Sequence, residues 1–184
     1  MSDNTLIVRK VIFNILKARK YIVGKDYEDC DETYLTHHQN NELDKIYVFF
    51  PQTNTKVGVF AIRQFIKEMQ TNNVNNAIIV VKEEVTSFAK SEFQDAKPLV
   101  IEHFRENELL IDKMTHVLVP KHELLNEEEK KELYKIYKIK DLNLPKILSS
   151  DPIVRYFGGK KGQIFKITRS SESSGEYIYY RIVI

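Results

Sequence analysis

Between Asp151 and the C-terminus the chain punctuates itself tightly enough to fix three successive elements. Asp151-Pro152 pairs a helix-capping residue with proline at the first helical position, where the missing N–H is no loss. Gly158-Gly159 ends that helix soon after, since glycine tolerates the left-handed backbone of a helix stop. Ile164 to Arg169 and Tyr177 to Ile184 are rich in β-branched and aromatic residues, and read as two strands around a Ser/Gly-rich turn. Upstream, Asn126 precedes Glu127, Glu128 and Glu129, so an N-cap is followed by acid in the first turn, with Glu129 where a capping-box partner belongs. Lys135 and Lys138 stand near the other end, as the helix dipole favours. Two capped helices and two strands make a small α+β domain. Because it closes on a strand, C-terminal trimming is expected to harm folding.

The front of the chain has a different rhythm. Val8, Val11, Ile12, Ile15 and Leu16 recur at helical spacing, so the chain opens with an amphipathic helix. Residues 25–44 are polar with few apolar anchors and read as a loop. Ile46 to Phe50 is a compact apolar strand stopped by Pro51. Val59, Ile62, Ile66 and Met69 mark a second helix, closed by the Asn-rich stretch from Asn72 to Asn76. Ala77 to Val81 is a short buried strand, and Leu99 to His103 another. Strand, helix, strand in succession predicts an α/β layer. The boundary between the two rhythms falls near Asp112–Thr115, giving domains of 1–112 and 113–184.

Composition narrows the function classes. The chain has 184 residues, 42% hydrophobic, enough for one medium core or two small ones. No run approaches the roughly 18 apolar residues of a membrane span. The opening residues lack a basic stretch leading into an apolar signal segment, so no secretory leader is expected. A single cysteine, Cys30, excludes an internal disulfide framework and fits a reducing compartment. Net charge is +2 but uneven: residues 1–112 hold 14 Lys and Arg against 17 Asp and Glu, a net of −3. Residues 113–184 hold 14 against 9, a net of +5. Tight backbone binding to nucleic acid needs a local basic surface, so the front half is a poor free-standing DNA magnet.

Candidate chemistry is sparse. Cys30, His37 and His38 lie close together, but zinc sites pair Cys or His at short fixed spacings, and this set reads as a solvated loop. His116 and His122 flank Pro120 and read as hydrogen-bonded scaffold residues in a turn before a helix. Gly158 to Gly162 lacks the spacing of a phosphate-binding loop. A metal-dependent nuclease needs an acid on one strand and acid-x-Lys on the next, to hold the metal and activate water. The nearest strand ends Val80-Val81-Lys82, with valine where the acid belongs. Glu127 to Lys138 is a charge-dense helix face, and Tyr134 and Tyr137 on it suit either a core or a partner surface.

From His116 the chain reads H-V-L-V-P-K-H-E-L-L-N-E-E-E, then L-P-K-I, then D-P-I-V-R-Y-F-G-G-K-K-G-Q-I-F-K-I-T-R-S-S-E-S-S-G-E-Y-I-Y-Y-R-I. That order resembles the assembly domain shared by the fifth common subunit of the eukaryotic nuclear RNA polymerases and its archaeal counterpart. Asn126 stands where that family commonly has Ser or Thr, Gly159 where it has an aliphatic residue, and Asn143 where Gln is commoner. The front half resembles the family's jaw domain, less tightly. Its better segments are Val57-Gly58-Val59, Ala77 to Val81, and Val85 to Ala89, which is similar to a Thr-Pro-Ser-Ala segment placed near DNA but lacks the proline.

The resemblance implies an α/β N-terminal jaw domain, a mixed sheet with flanking helices, and a small α+β C-terminal assembly domain. It implies a non-catalytic subunit of a multisubunit DNA-directed RNA polymerase, without cofactor, metal or membrane, and not a homo-oligomer. The C-terminal domain would dock on the largest subunit, with Arg155, Tyr156, Arg169, Tyr180 and Arg181 as candidate interface residues. The N-terminal domain would form part of the lower jaw beside downstream duplex DNA, with Lys82, Thr86 and Lys90 nearest the phosphates. A cellular source implies the nucleus; a large DNA virus encoding its own polymerase implies a cytoplasmic viral factory or the virion. The competing readings are a free-standing DNA-binding transcription factor and a metal-dependent nuclease on the front domain.

Overall fold

The computed structural model describes residues 3–24, 33–51, 57–83, 85–139, 141–171 and 175–184. It divides into two compact units, Met1–Ile111 and Asp112–Ile184.

The front unit is built on a four-stranded sheet of β1 (Thr33–His38), β2 (Asn41–Phe49), β3 (Asn76–Val81) and β4 (Val100–Arg105), in that order. β1 and β2 are antiparallel, whereas β2, β3 and β4 run parallel, so the sheet is mixed. Parallel neighbours need crossovers, and α2 (Val59–Thr71) and α3 (Ser87–Asp95) supply them. Both helices cover one face, where Ile62, Phe65, Met69 and Ala89 share a core with Ala77, Ile79 and Val81. The other face belongs to α1 (Asp3–Ala18), whose Phe13 meets Tyr34 of β1 edge-on at 5.0 Å. Its stripe of Val8, Val11, Ile12, Ile15 and Leu16 is buried throughout. Covered on both sides, β3 is apolar without alternation from Ala77 to Val81.

A polar cluster ties the end of α1 to the sheet. Arg19, its side chain 8% exposed, donates from Nη1 and Nη2 to the two carboxylate oxygens of Glu102 on β4 at 3.0 and 2.7 Å. The Tyr21 hydroxyl donates to Asp44 on β2 at 3.4 Å, and Asn76 Nδ2 donates to the same oxygen at 2.8 Å. Burial first, and the Asp44 charge second, push the Tyr21 phenol up to about 12. The chain then continues from β4 into the short α4 (Glu106–Leu109).

The structure corrects the reading of residues 25–44 as a loop. Residues 25–32 lie outside the described residues, but Thr33 to His38 is strand β1, and β2 begins at Asn41 rather than Ile46. The strand sits at the sheet edge and needs few apolar anchors. Thr36 is buried there, its hydroxyl donating to the Ile22 carbonyl.

The rear unit has a second four-stranded sheet, ordered β5-β7-β8-β6. These are β5 (Lys121–Leu124), β6 (Lys146–Ile147), β7 (Ile164–Ser171) and β8 (Gly175–Val183). Lys121 to Leu124 is thus a strand, not part of a turn, because it pairs along β7 from Thr168 to Phe165. α5 (Glu127–Tyr137) starts with both halves of a capping box: Glu129 N–H donates to Asn126 Oδ1, and Asn126 N–H to Glu129 Oε2, each at 2.8 Å. α6 (Pro152–Phe157) begins where Asp151 Oδ1 accepts from Ile153 N–H at 2.8 Å, and ends at Gly158 with φ +65°. The next glycine solves a spacing problem, for a Cβ at Gly159 would stand 3.0 Å from both the Phe165 ring and Val154. α6 packs on one face of the sheet, where Val154 meets Phe165, Ile167 and Val183. α5 packs on the other, where Leu133 meets Ile164 and Ile182.

Candidate subunit and nucleic-acid interfaces

In the front unit Lys82, Thr86 and Lys90 come from one stretch joining β3 to α3. Parallel topology puts the C-terminal ends of β2 and β3 and the first turns of α2 and α3 at the same edge of the sheet. Lys82 follows the last residue of β3 and is exposed, as is Lys90 one turn into α3. Thr86 is the N-cap of α3, its hydroxyl accepting from Ala89 N–H at 3.3 Å. A hydroxyl that accepts still has its own proton to donate, so the cap leaves Thr86 able to reach a phosphate oxygen. The core ends directly beneath, at Val81, Val85 and Ala89. Phe60 and Phe88, in the first turns of α2 and α3, are 82% and 77% exposed at this edge. Their helical periodicity is off the apolar stripe, which is the one sequence sign that they face outward.

The acid-x-Lys position needed for nuclease chemistry is occupied by apolar packing. Val80 is 3% exposed and pairs with Phe104 of β4. No group of three or more His, Cys, Asp or Glu side chains is placed to hold a metal ion among the described residues. Cys30 lies outside them; His38 Nδ1 accepts from Asn40 N–H at 3.2 Å in the β1–β2 turn.

In the rear unit the five candidate residues separate by face. Arg155 and Tyr156 lie on α6, both half-buried. Arg169 on β7 stands opposite Tyr177 on β8, and Arg181 stands opposite Phe165. Alternation along each strand puts Arg169 and Arg181 on the face that carries α6. The Arg181 guanidinium lies 5.8 Å from the centre of the Tyr179 ring, which itself stacks on Tyr177 at 5.9 Å. Tyr180 points the other way, toward α5, with its ring 6.1 Å from Tyr137. Burial, then the neighbouring Tyr137, raises the Tyr180 phenol above its ordinary range. Burial, then Asp112, pushes Tyr156 up to about 12, so both phenols stay neutral donors at physiological pH.

The two histidines are structural. His122 is buried with Nδ1 2.7 Å from the Pro120 carbonyl, so its N–H donates there, and its ring meets Phe165 edge-on at 6.4 Å. His116 Nδ1 accepts from Leu118 N–H at 3.2 Å. Sequence reasoning passed over Val117 and Leu118, which that turn leaves 96% and 84% exposed. Apolar residues held in a short turn ahead of a proline were the available signal. Asp151 uses Oδ1 to cap α6, and its carbonyl accepts from Arg155 N–H at 2.9 Å.

Sequence comparisons agree with this two-part build. Residues 111–183 match the family described as RNA polymerase Rpb5, C-terminal domain, and residues 9–110 match a family described as restriction endonuclease. The chain is 40% identical to the DNA-directed RNA polymerases I, II, and III subunit rpabc1 of Dictyostelium discoideum, over 99% of this chain and 98% of that one. It is 37% identical to the subunit RPABC1 of the same polymerases in Caenorhabditis elegans, over 96% of this chain and 94% of that one. It is 40% identical to the DNA-directed RNA polymerase subunit 5-like protein 1 of Arabidopsis thaliana, over 78% of this chain and 69% of that one. The restriction-endonuclease likeness of the front unit therefore comes with a buried valine at the catalytic acid's place and full-length relatives that are polymerase subunits. The chain belongs to the Rpb5 family, the fifth common subunit of the eukaryotic nuclear RNA polymerases, and is a non-catalytic subunit of a multisubunit DNA-directed RNA polymerase.

Proposed function

We propose that residues 113–184 are an assembly domain that docks on the largest polymerase subunit, and that residues 1–112 form part of the lower jaw beside downstream duplex DNA. The observation that carries the docking half is the gathering of Arg155, Tyr156, Arg169 and Arg181 on the α6 side of the rear sheet. Arg and Tyr are the residues most often found as interface anchors, and here they crowd one small face. Arg169 and Arg181 project from it without supporting the core. The jaw half rests on Lys82, Thr86 and Lys90 meeting at one sheet edge. A front half with net charge −3 holds DNA weakly by itself, but attachment to a polymerase supplies the effective concentration that intrinsic affinity lacks. This reading implies a nuclear location.

The test is Arg155→Glu in the tagged chain, expressed in its native source. Recovery of the largest subunit is expected to fall at least tenfold, about 1.4 kcal/mol, with the melting of the purified chain unchanged. Equal losses of recovery and of folding would make Arg155 a structural residue and defeat the assignment. Tight, salt-dependent binding of the isolated chain to duplex DNA would instead favour a free-standing transcription factor.

A further inference from the structure

The rear sheet has an edge that its own chain leaves open. β8 is bonded to β7 along its whole length, but on its other side β6 pairs only with Ile182 and Val183. The reason is Pro145. Its carbonyl accepts from Ile182 N–H at 2.9 Å, but it has no N–H to continue a ladder, and the preceding residues turn away with Leu144 N–H bonded to Asp141. Since Ile182 N–H points toward β6, alternation makes Glu176, Ile178 and Tyr180 point their N–H and C=O groups to that same side. No strand lies beside them there among the described residues. The strand is exposed from Gly175 to Ile178, Tyr177 at 57% and Ile178 at 44%.

Unblunted edges of this kind are templates for another strand, and natural proteins cover or charge them when they are not used. Here charge is confined to the two ends of the stretch, at Glu176 and Arg181, and the four residues between them are aromatic or aliphatic. On the α6 face the stacked Tyr177 and Tyr179 offer an aromatic platform that ends at Arg181. On the α5 face the Tyr180 ring meets Tyr137, which is 57% exposed, and Ile178 stands open on the same face of the strand. The edge also runs into the Arg181 surface assigned above to docking.

Resting on that docking reading, we infer that β8 accepts an added strand: an extended segment of another polymerase subunit that bonds to the outward groups of Glu176, Ile178 and Tyr180. Its alternate side chains are apolar toward Ile178 and Tyr180 on one face, and on the other lie against Tyr177 and Tyr179 with an acidic residue toward Arg181. Main-chain bonds supply the affinity and the two faces supply the selectivity, as in other strand-addition complexes.

Residue-resolved hydrogen exchange tests this, on the purified chain and on polymerase containing it. The amides of Glu176, Ile178 and Tyr180 are expected to slow at least tenfold on assembly, while those of Tyr177 and Tyr179, already bonded to β7, change little. Exchange at free-chain rates inside an assembled polymerase would overturn the inference and leave docking standing; absence of the chain from the polymerase would overturn both. Protection of the same three amides in the isolated chain, with sedimentation as a dimer, would identify a second copy as the occupant and also defeat it. Ile178→Pro removes one outward N–H and spares the β7 ladder, whereas Ile178→Ala keeps it. Polymerase recovery is expected to fall at least tenfold further for proline than for alanine, and equal recovery would rule out a bonded edge.

Discussion

In the front unit the candidate contact residues stand beyond the ends of the strands, whereas in the rear unit they are woven into the sheet and the helix that covers it. Lys82 and Lys90 are exposed above a core that closes at Val81 and Ala89. Tyr156 and Tyr180 are half-buried, and Arg181 lies over Tyr179 on a strand whose next two residues are core. The contrast follows from size and topology. A parallel sheet with helices on both faces completes its core internally and offers its strand ends for contacts. The rear sheet is covered by two short helices and reaches past them, so Tyr156 and Tyr180 are candidate contacts that are also half-buried, while Arg169 and Arg181 on the same sheet are exposed. Contact and stability should therefore be separable in the front unit at Lys82 and Lys90, and in the rear unit separable at these arginines but entangled at the tyrosines.

The largest expected effect tests whether the two units stand apart energetically. Phe165 is fully buried in the rear unit, against Phe157 at 5.8 Å and below the close approach of Gly159. Phe165→Ala should cost about 3–5 kcal/mol, the usual range for emptying a packed aromatic site. Hydrogen exchange should accelerate for the core amides of β5, β7 and β8 and stay unchanged in β2, β3 and β4. Acceleration in both sheets would break the comparison by making the chain one cooperative unit.

A smaller effect, also confined to the rear unit, depends on pH. Burial, the largest influence, holds His122 below the ordinary imidazole range, opposed by its hydrogen bond to the Pro120 carbonyl. The folded chain therefore binds fewer protons at this site than the unfolded chain once the pH drops below about 6.5. Stability present above that value is lost as pH falls, by at most about 1.4 kcal/mol for each unit. Melting curves from pH 7.5 to 5 should show a steeper decline for the native chain than for His122→Asn, whose amide nitrogen replaces Nδ1 as donor. Parallel declines would assign the acid sensitivity elsewhere.

Legibility in the sequence divided along lines of local against distant cause. α1, α2, α5 and α6 were readable because caps and apolar spacing are written in adjacent residues, and both predicted hydrogen bonds of the α5 capping box are formed. β3 was readable because a strand covered on both faces is apolar throughout. β1 was not, since an edge strand of Thr, Tyr, Leu, Thr and two His residues is held by its ladder to β2 more than by its own composition. β6, two residues long, exists only through Ile182 and Val183. The site followed the same division. The Arg and Tyr candidates could be picked by residue type, but their sorting onto two faces depends on register with β7. The Arg19–Glu102 pair joins residues 83 positions apart and left no local trace.

The smallest expected stability change carries the sharpest functional contrast. Thr86→Ala removes the α3 cap and should cost about 1 kcal/mol, so that residue mixes fold with contact. Lys82→Ala with Lys90→Ala changes two exposed side chains and should leave stability within about 0.5 kcal/mol. Their effect should appear in the assembled polymerase, as a weaker dependence of downstream-DNA retention on salt. Each phosphate contact contributes roughly 0.9 to the slope of log affinity against log salt, so losing both should flatten it by about 2. A flattened slope with unchanged melting would establish that the front unit separates contact from stability. An unchanged slope would remove Lys82 and Lys90 from the DNA, and the strand-end edge with its exposed Phe60 and Phe88 would then have to be read as a protein-facing surface.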